Sequence, residues 1–494
     1  MKRRIRAIMF EAKYSQYIHP SKSRFAYKNE ITGVCAEISK GSRSKGAGAV
    51  LYYEDGKLYV DDSDTHYYIE GETGSKKSRV ESTNIAKSII RAKENGVVND
   101  PKGELYKNTA GYAKLFDYNI KVLNFRDFKF SNSWNPLHLA KLYEIEGKHT
   151  QSSEVLDDFK DAIVAPLINL TNDRYWGDMA GSVFSYSSKI LVKSVPDNVF
   201  NIASIIQFSD QENLPILREL MQRMDKTSET TLAMKGIVNL SAEKTLDCIF
   251  STVQQMYLPF IRNKALMNLL SSNDIDFQDL VDKKTIIYVI YPDEKNGYDY
   301  LVNLFFSQCY QYLIDYSTKY DDGKLKRRVN FLLDEFNNLP PIEKFANKIS
   351  EARGHNVRYF LFGQSFGQLK KNYKENAQTI IDNCNWIVFT SKDMALFERV
   401  SEMCGKEIDS YGKERSLIEA CDLLHLKKYK DGAEALIIKN GQFPFVTKLP
   451  DYEYIDVFEK APESQLKEIR IRQKPKCITF NKWISGLGSF YEYP

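Results

Sequence analysis

One stretch near residue 330 constrains the fold more than any other part of the sequence. The segment Val329–Leu333 is a short apolar run, and two adjacent carboxylates, Asp334 and Glu335, follow it directly. Such a run is typical of a strand in a parallel sheet, which is buried on both faces. Because ligands of open α/β sheets bind beyond the carboxyl ends of the strands, we expect the two acids at a binding edge. An Asp there can hold Mg²⁺ and a following Glu can activate water, although a strand that ends in a solvated loop is the competing interpretation.

A second stretch supplies the setting of a phosphate-binding loop. His66–Glu70 predicts a strand, the glycine-rich turn Gly71–Ser78 follows it, and Arg79–Asn95 is compatible with a helix. The turn reads G-E-T-G-S-K-K-S and meets the pattern G-x-x-x-x-G-K-[ST] except at Lys76, where glycine is expected. Glycine lets the backbone of such loops approach the phosphates and take unusual dihedral angles, and a side chain at that position is unfavourable if a left-handed conformation is needed there. We therefore expect weak nucleotide binding, binding in an altered pose or none, and a surface Gly/Ser/Lys loop is the alternative.

Composition limits the remaining possibilities. The chain has 494 residues, enough for two or three domains, and 43% of them are hydrophobic. Its 69 basic and 65 acidic residues give a net charge of +4, so a nucleic-acid site would have to be a local patch. The seven cysteines are dispersed and form no C-x-x-C pair, which argues against a disulfide framework and against a zinc site. No run of 18 apolar residues is present, so we expect a cytoplasmic protein without a transmembrane segment.

Periodicity divides the chain into alternating and helical parts. Strand-like runs before residue 136 alternate with helical stretches and predict a parallel sheet with right-handed crossovers. Helical spacing dominates residues 137–276. The strand-like runs then resume, and Glu434–Ile438 is the last of them. Each of these runs is followed by polar residues, as expected if all of them end at one active-site edge. We therefore predict a polar N-terminal segment (1–48), a nucleotide-binding domain in two parts (49–136 and 277–460), an all-α domain (137–276) and a C-terminal tail (461–494).

Five blocks of sequence, in this order and spacing, resemble the coupling proteins of the TraG/TraD class, the ATPases that bring DNA to a conjugative type IV secretion channel. The blocks are G-E-T-G-S-K-K-S at 71–78, D-P-K-G-E at 100–104, S-A-E-K-T at 241–245, L-L-D-E-F at 332–336 followed by Arg353-Gly354, and G-Q-S at 363–365. The resemblance runs from about residue 40 to 454. It implies an α/β fold in which a RecA-like P-loop NTPase domain with a mostly parallel sheet is interrupted by an all-α domain. That agrees with the break inferred from periodicity.

The resemblance also implies a role for each site residue. Lys77 would contact the β- and γ-phosphates of ATP, and Ser78 and Asp334 would hold Mg²⁺. Glu335 would polarise the attacking water, and Gln364 would sense the γ-phosphate. The loop residues expected to cradle the phosphates are Gly71, Thr73, Gly74, Ser75, Lys76, Lys77 and Ser78.

A neighbouring subunit would complete the site, because the family forms homo-hexameric rings with nucleotide between subunits. Arg353 is the candidate arginine finger, with Arg358 or a structural salt bridge as alternatives. The implied partners are DNA, a relaxase with its relaxosome proteins, and components of the secretion channel. The family's common membrane anchor is not found in this sequence, so we expect the chain to lie at the inner face of the membrane through those partners.

Three functions remain open from the sequence. The first is a DNA-pumping ATPase, and the intact Asp334-Glu335 pair with Gln364 favours it. The second is a docking or recruitment subunit of the same family that has lost hydrolysis, which Lys76 favours. The third is a translocase of the FtsK/HerA class that acts outside conjugation. Two basic segments, Lys326–Arg328 and Lys370–Lys371 with Tyr373, could contact DNA phosphates or could simply be solvated faces.

Overall fold

The computed structural model describes residues 22–42, 46–171, 174–291, 297–408, 411–469 and 476–490. The chain forms two compact units, each assembled from separate segments. The first contains Met1–Val122, Phe277–Lys295 and Leu313–Leu466, and the second contains Leu123–Asp276, Asn296–Tyr312 and Lys467–Pro494. The predicted N-terminal segment 1–48 and tail 461–494 lie partly outside the described residues.

Unit 1 is built on a large sheet of ten strands. The strands of this sheet are β4 (His66–Glu70), β5 (Asn95–Asn99), β6 (Asn119–Asn124), β7 (Thr285–Ile290), β8 (Val329–Leu333), β9 (Val357–Gly363), β10 (Cys384–Val388), β13 (Lys428–Tyr429), β14 (Gly432–Ile438) and β15 (Phe445–Pro450). Their order in the sheet is β13-β14-β10-β4-β9-β8-β5-β7-β6, with β15 paired to β14. Strands β4, β5 and β7–β10 are fully buried, which explains the apolar segment in each of their sequences, although polar residues such as His66, Asn95 and Asn330 are buried with them.

Pairing from β10 through β4, β9, β8 and β5 to β7 is parallel, so the carboxyl ends of these strands share one edge. Two small antiparallel sheets accompany them. One consists of β1 (Ala36–Ser39), β2 (Ala49–Glu54) and β3 (Lys57–Asp61), and the other of β11 (Lys406–Ile408) and β12 (Glu414–Ser416). The mixed α/β class and the mostly parallel sheet are as predicted.

The helices of unit 1 cover the sheet and connect its strands. They are α1 (Lys28–Thr32), α2 (Thr83–Ala92), α3 (Glu104–Leu115), α12 (Asp279–Asp282), α14 (Phe345–Ala352), α15 (Phe366–Tyr373), α16 (Asn376–Asp382), α17 (Met394–Cys404) and α18 (Ala420–Leu424). A π-helical turn, Ser78–Ser82, precedes α2, so the predicted helix after the glycine-rich turn begins in an unusual geometry. Helix α13 (Asp299–Ser317) has residues in both units.

Unit 2 is helical in its described part, apart from the end of β6. Its helices are α4 (His138–Ile145), α5 (His149–Thr171), α6 (Arg174–Ser194), α7 (Ile202–Phe208), α8 (Leu214–Arg223), α9 (Glu229–Val238), α10 (Glu243–Arg262), α11 (Lys264–Leu269) and α19 (Phe480–Phe490). Helix α19 packs on this unit, because the rings of Phe480 and Trp483 lie 4.9 and 4.8 Å from the ring of Phe208. Among the described residues, no helix combines the length and the apolar character needed to cross a bilayer.

One strand assignment was wrong in its direction. The sequence suggested that Glu434–Ile438 is a last strand that ends at the same edge as the others. In the structure β14 is antiparallel to β10, so its end lies at the opposite edge, and β15 follows it. The pattern of a short apolar run gives no direction, and the pairing partner decides it.

Candidate active site

The glycine-rich turn connects β4 to the helical segment that starts at Ser78, at the edge where the parallel strands end. Gly71 follows β4 directly, and a Cβ there would lie 2.6 Å from Ser75 Oγ and 2.9 Å from Phe389 Cβ. Glycine is therefore required for the chain to turn this closely. The turn places backbone N–H groups and a helix start beside one another, which is the arrangement that binds phosphate.

Ser78 and Asp334, which the sequence grouped as candidate Mg²⁺ ligands, lie close together in the structure. The Ser78 hydroxyl donates to Asp334 Oδ1 over 3.4 Å. Lys77 is buried, and its ammonium donates to the Gly71 carbonyl over 3.2 Å. A hydroxyl and a carboxylate oxygen are ligands that Mg²⁺ prefers, so this donor set fits the metal.

Glu335 and Gln364 form a second contact at the same edge. The Gln364 amide nitrogen donates to Glu335 Oε2, and the Thr73 hydroxyl donates to Gln364 Oε1 over 3.3 Å. Gln364 thus bridges the glycine-rich turn and the residue after Asp334. The preceding residue, Gly363, has no room for a side chain, because a Cβ would lie 2.3 Å from Tyr68 Oη. Three of the predicted site residues, Thr73, Glu335 and Gln364, are brought together in this way.

Buried acids make the site electrostatically unusual. Burial raises the pKa of Asp334 to about 7, and the neighbouring Glu335 carboxylate acts in the same direction. Burial also raises the pKa of Glu70 to about 7 and that of Asp100 to about 6. The strand ends at this edge therefore carry three carboxyl groups with raised pKa values. Clusters of shifted pKa values of this kind are typical of functional sites.

Lys76 has the backbone that glycine would have, with a φ of +70°. Its ammonium points away from Ser78 and Asp334 to the hairpin of β14 and β15. It donates to the Lys430 carbonyl over 2.8 Å and to Asp451 Oδ2 over 3.3 Å. The replacement of the pattern's glycine by Lys76 therefore leaves the loop backbone in a conformation that glycine would also adopt.

The structure does not bring Arg353 to these residues. Arg353 precedes β9 and pairs with Asp64, which precedes β4, at an N–O distance of 3.1 Å, so the pair lies at the opposite edge of the sheet. Arg358 is buried inside β9 and is held by Glu94 at 3.2 Å and by Asn330 Oδ1 at 2.8 Å. Arg358 is therefore a structural cation and is not available as an arginine finger.

An open cleft of about 1050 Å³ adjoins the site. Thr73 and Gln364 line it, and both basic residues (Lys370, Lys392 and Arg399) and acidic residues (Glu72, Asp393 and Glu402) contribute to its walls. Tyr373, which the sequence grouped with Lys370 as a possible DNA contact, is buried instead and stacks on Phe336 with ring centres 5.4 Å apart. Its hydroxyl is also occupied, because it accepts from the backbone N–H of Ile342.

A family model matches the part of the chain that contains this site. The model described as "Type IV secretory system Conjugative DNA transfer" matches residues 19–410, most of the chain. The chain belongs to the type IV secretion coupling protein family.

Individual coupling proteins are similar in sequence to a smaller share of this chain. The coupling protein VirD4 of Bartonella quintana is 24% identical over 232 residues, which cover 45% of this chain and 35% of that protein. The conjugal transfer protein TraG of Escherichia coli is 20% identical over 327 residues, which cover 61% of this chain and 49% of that protein. The chain therefore aligns with about a third to a half of the length of these relatives.

Solved structures of the coupling protein TrwB share the fold. The complex of TrwB with the ATP analogue ADPNP aligns with a TM-score of 0.54 at 13% identity, over 92% of this chain and 98% of that one. The complex of TrwB with ADP and Mg²⁺ aligns with a TM-score of 0.55 at 13% identity, over 95% and 98%. The RecA-like fold with a helical insertion, expected from the sequence, is thus confirmed for this coupling protein.

Sequence reasoning missed three polar residues of the site in this coupling protein. Glu70 is the last residue of one strand and Asp100 follows another, so a carboxylate at a strand end, the signal that singled out Asp334, was available for both. No sequence signal pointed to Asp451. It lies 375 residues from Lys76, and only the folding of the β14–β15 hairpin beside the loop brings the two together.

Proposed function

We propose that the chain is an ATPase that brings a DNA–relaxase complex to a type IV secretion channel and couples ATP hydrolysis to DNA movement. The observation that carries the proposal is the bridge of Gln364 between Thr73 and Glu335. Through this bridge, a group that contacts the end of a bound triphosphate would also contact the residue that activates water. A connected arrangement of this kind has no evident use in a protein that only binds nucleotide.

Each site residue then has a part in the reaction. The loop Gly71–Ser78 would hold the phosphates with its backbone N–H groups and the Lys77 ammonium. Ser78 and Asp334 would hold Mg²⁺, which neutralises charge on the phosphates when it is bound. Glu335 would accept a proton from the attacking water, and Gln364 would orient that water and report the presence of the γ-phosphate.

The proposed oligomer and its partners would supply the arginine finger, the recognition of DNA-processing proteins and the position at the membrane. We propose a homo-hexameric ring in which Arg353, at the opposite edge of the sheet, reaches the nucleotide of the next subunit after release from Asp64. The helical unit would recognise relaxosome proteins, and contacts with channel components would bring the chain to the inner face of the membrane. The exposed position of the Arg353–Asp64 pair supports this role, because such a pair costs little to break.

The deciding experiment is ATP hydrolysis with and without DNA, in wild type and in Lys77→Ala. We expect DNA to stimulate wild-type turnover, and we expect Lys77→Ala to lose at least about 100-fold in kcat/KM, since it removes the charge that faces the phosphates. Retention of full activity by Lys77→Ala would contradict the assignment of the loop.

A hydrolysis-deficient docking subunit is the second candidate, and the lysine at position 76 is the observation that favours it. For that function, wild type would show no turnover with DNA, and Lys76→Gly would gain it. A folded wild type that remains inactive together with Lys76→Gly would leave neither function supported by this site.

The shifted pKa of Asp334 predicts a pH dependence of Mg²⁺-dependent nucleotide binding. Mg²⁺ needs the ionised carboxylate, and a pKa of about 7 means that Asp334 is mostly ionised at pH 8 and mostly protonated at pH 6. We expect the affinity for a fluorescent ATP analogue with Mg²⁺ to fall about tenfold between pH 8 and pH 6, following the ionised fraction. Asp334→Asn should bind weakly at both pH values, and an unchanged slope in this variant would assign the titration to another group.

A further inference from the structure

The lysine in the phosphate-binding loop has a specific acceptor outside the loop. Lys76 takes the left-handed backbone, and its ammonium lies between the Lys430 carbonyl and Asp451 Oδ2. Both acceptors belong to the hairpin region around β14 and β15. A residue with a Cβ is disfavoured in this conformation, so something must hold it there.

The acceptor carboxylate is itself fixed in place. Asp451 is fully buried, and Arg79 donates to both of its oxygens, over 2.7 Å from Nε and 2.9 Å from Nη2. Burial opposes ionisation, but the Arg79 hydrogen bonds hold the pKa of Asp451 below its ordinary value. Asp451 is therefore an anion at neutral pH, and its two cationic partners both come from the loop and the turn after it.

Further hydrogen bonds join the same two segments. The Tyr452 N–H donates to the Arg79 carbonyl over 3.3 Å, and the Asn84 amide donates to the Pro450 carbonyl over 3.1 Å. The end of β15 thus lies against the first turns after the loop on the side of Arg79. Gln364, which also donates to Glu335, contacts the loop at Thr73, near its start.

We propose that Asp451 is a positioning residue of the phosphate-binding loop. By binding the ammonium of Lys76, it holds that residue in the left-handed conformation for which other loops use glycine, and it keeps the extra charge away from the phosphates. The proposal rests on the proposed function, because it assumes that this loop binds nucleotide. It also makes nucleotide affinity depend on the position of the β14–β15 hairpin.

The test is equilibrium binding of a fluorescent ATP analogue with Mg²⁺ to a series of full-length variants. Lys76→Ala keeps a Cβ but loses the contact of the lysine ammonium with Asp451 and the Lys430 carbonyl, which we call the tether. We therefore expect this variant to bind the nucleotide about tenfold more weakly than wild type. Lys76→Gly also loses the tether but takes a positive φ freely, so it should bind about tenfold more tightly than Lys76→Ala. Lys76→Arg, which can reach the same acceptors, should retain most of the affinity that Lys76→Ala loses.

Asp451 is tested in both backgrounds. We expect Asp451→Asn to weaken binding about fivefold in wild type and clearly less in Lys76→Gly, where no tether remains to be lost. Glu453→Gln is the matched control, because Glu453 is an exposed acid that pairs with Arg79 at 2.8 Å and does not contact Lys76. The nucleotide affinity of Glu453→Gln should equal that of wild type.

The outcomes separate the two proposals. Equal affinities of Lys76→Ala and Lys76→Gly would overturn the role of Asp451 and Lys76, even if Lys77→Ala abolishes binding and the proposed function stands. Absence of nucleotide binding by wild type, or binding that Lys77→Ala leaves unchanged, would overturn the proposed function as well. Thermal unfolding of each variant checks that a loss of binding is not a loss of fold.

Discussion

Replacement of Glu335 by glutamine is expected to lower kcat for ATP hydrolysis by about 10³-fold, because it removes the group that accepts a proton from the attacking water. Nucleotide affinity should change by no more than about twofold, since the loop and the Asp334 carboxylate are intact. The variant amide oxygen can still accept the hydrogen bond that Gln364 donates to the wild-type carboxylate, so the geometry of the bridge should persist. Steady-state turnover together with a binding titration separates the two quantities.

Glu343→Gln is the control for this variant. Glu343 is an exposed acid in the turn before α14 and pairs with Lys344 at 3.5 Å, so its replacement makes the same change of charge away from the site. Wild-type turnover is expected for it. Equal turnover in Glu335→Gln and wild type would show that another group activates the water.

The second large effect concerns stability. Arg358 is 1% exposed, and its guanidinium contacts Glu94, Asn330 and the Ser63 carbonyl. Burial lowers the pKa of Arg358 to about 10, which still leaves it charged at neutral pH. Arg358→Ala removes one partner of a buried network and leaves Glu94 without this cation, so the free energy of unfolding should fall by about 3–5 kcal/mol. A shift of the unfolding transition to lower temperature or urea concentration measures it.

Arg353→Ala is the comparison, because the same type of side chain is removed five residues earlier from an exposed pair with Asp64. The free energy of unfolding should change by at most about 1 kcal/mol, as is usual for surface ion pairs. A loss of hydrolysis in this variant without a loss of stability would agree with the role of arginine finger. If Arg353→Ala lowered the free energy of unfolding as much as Arg358→Ala, burial would not explain the loss of stability in Arg358→Ala.

The parts of the fold that could be predicted were those with a strong local pattern. Strands β4, β5 and β7–β10 are buried on both faces, so each contains an apolar segment in the sequence, although polar residues such as Glu70 and Asn95 also occur in them. Strands such as β1 and β15 were not predicted, because their burial alternates or is partial. Helix α19 contains Gly486 and Gly488, which weaken a helical pattern, and its packing against Phe208 is a tertiary contact.

The same distinction holds at the site. Lys77, Ser78, Asp334, Glu335 and Gln364 could be selected because each follows a strand run in a motif with a chemical meaning. The tether between Lys76 and Asp451 could not be predicted, because the conformational effect of a non-glycine residue in the loop depends on which groups its side chain contacts. That partner is contributed by a hairpin near the other end of the chain.

The order of strands has a consequence for synthesis on the ribosome. Strand β4, which leads into the phosphate-binding loop, has β9 and β10 as its neighbours, and β9 begins about 290 residues later in the chain. At a translation rate of roughly 5–20 residues per second, β4 emerges about 15–60 s before either neighbour exists. During that interval the buried side chains of Tyr67, Tyr68 and Ile69 have no strand to pair with. The nascent chain therefore carries an exposed, aggregation-prone segment for most of its synthesis, and holdase chaperones are expected to bind it there.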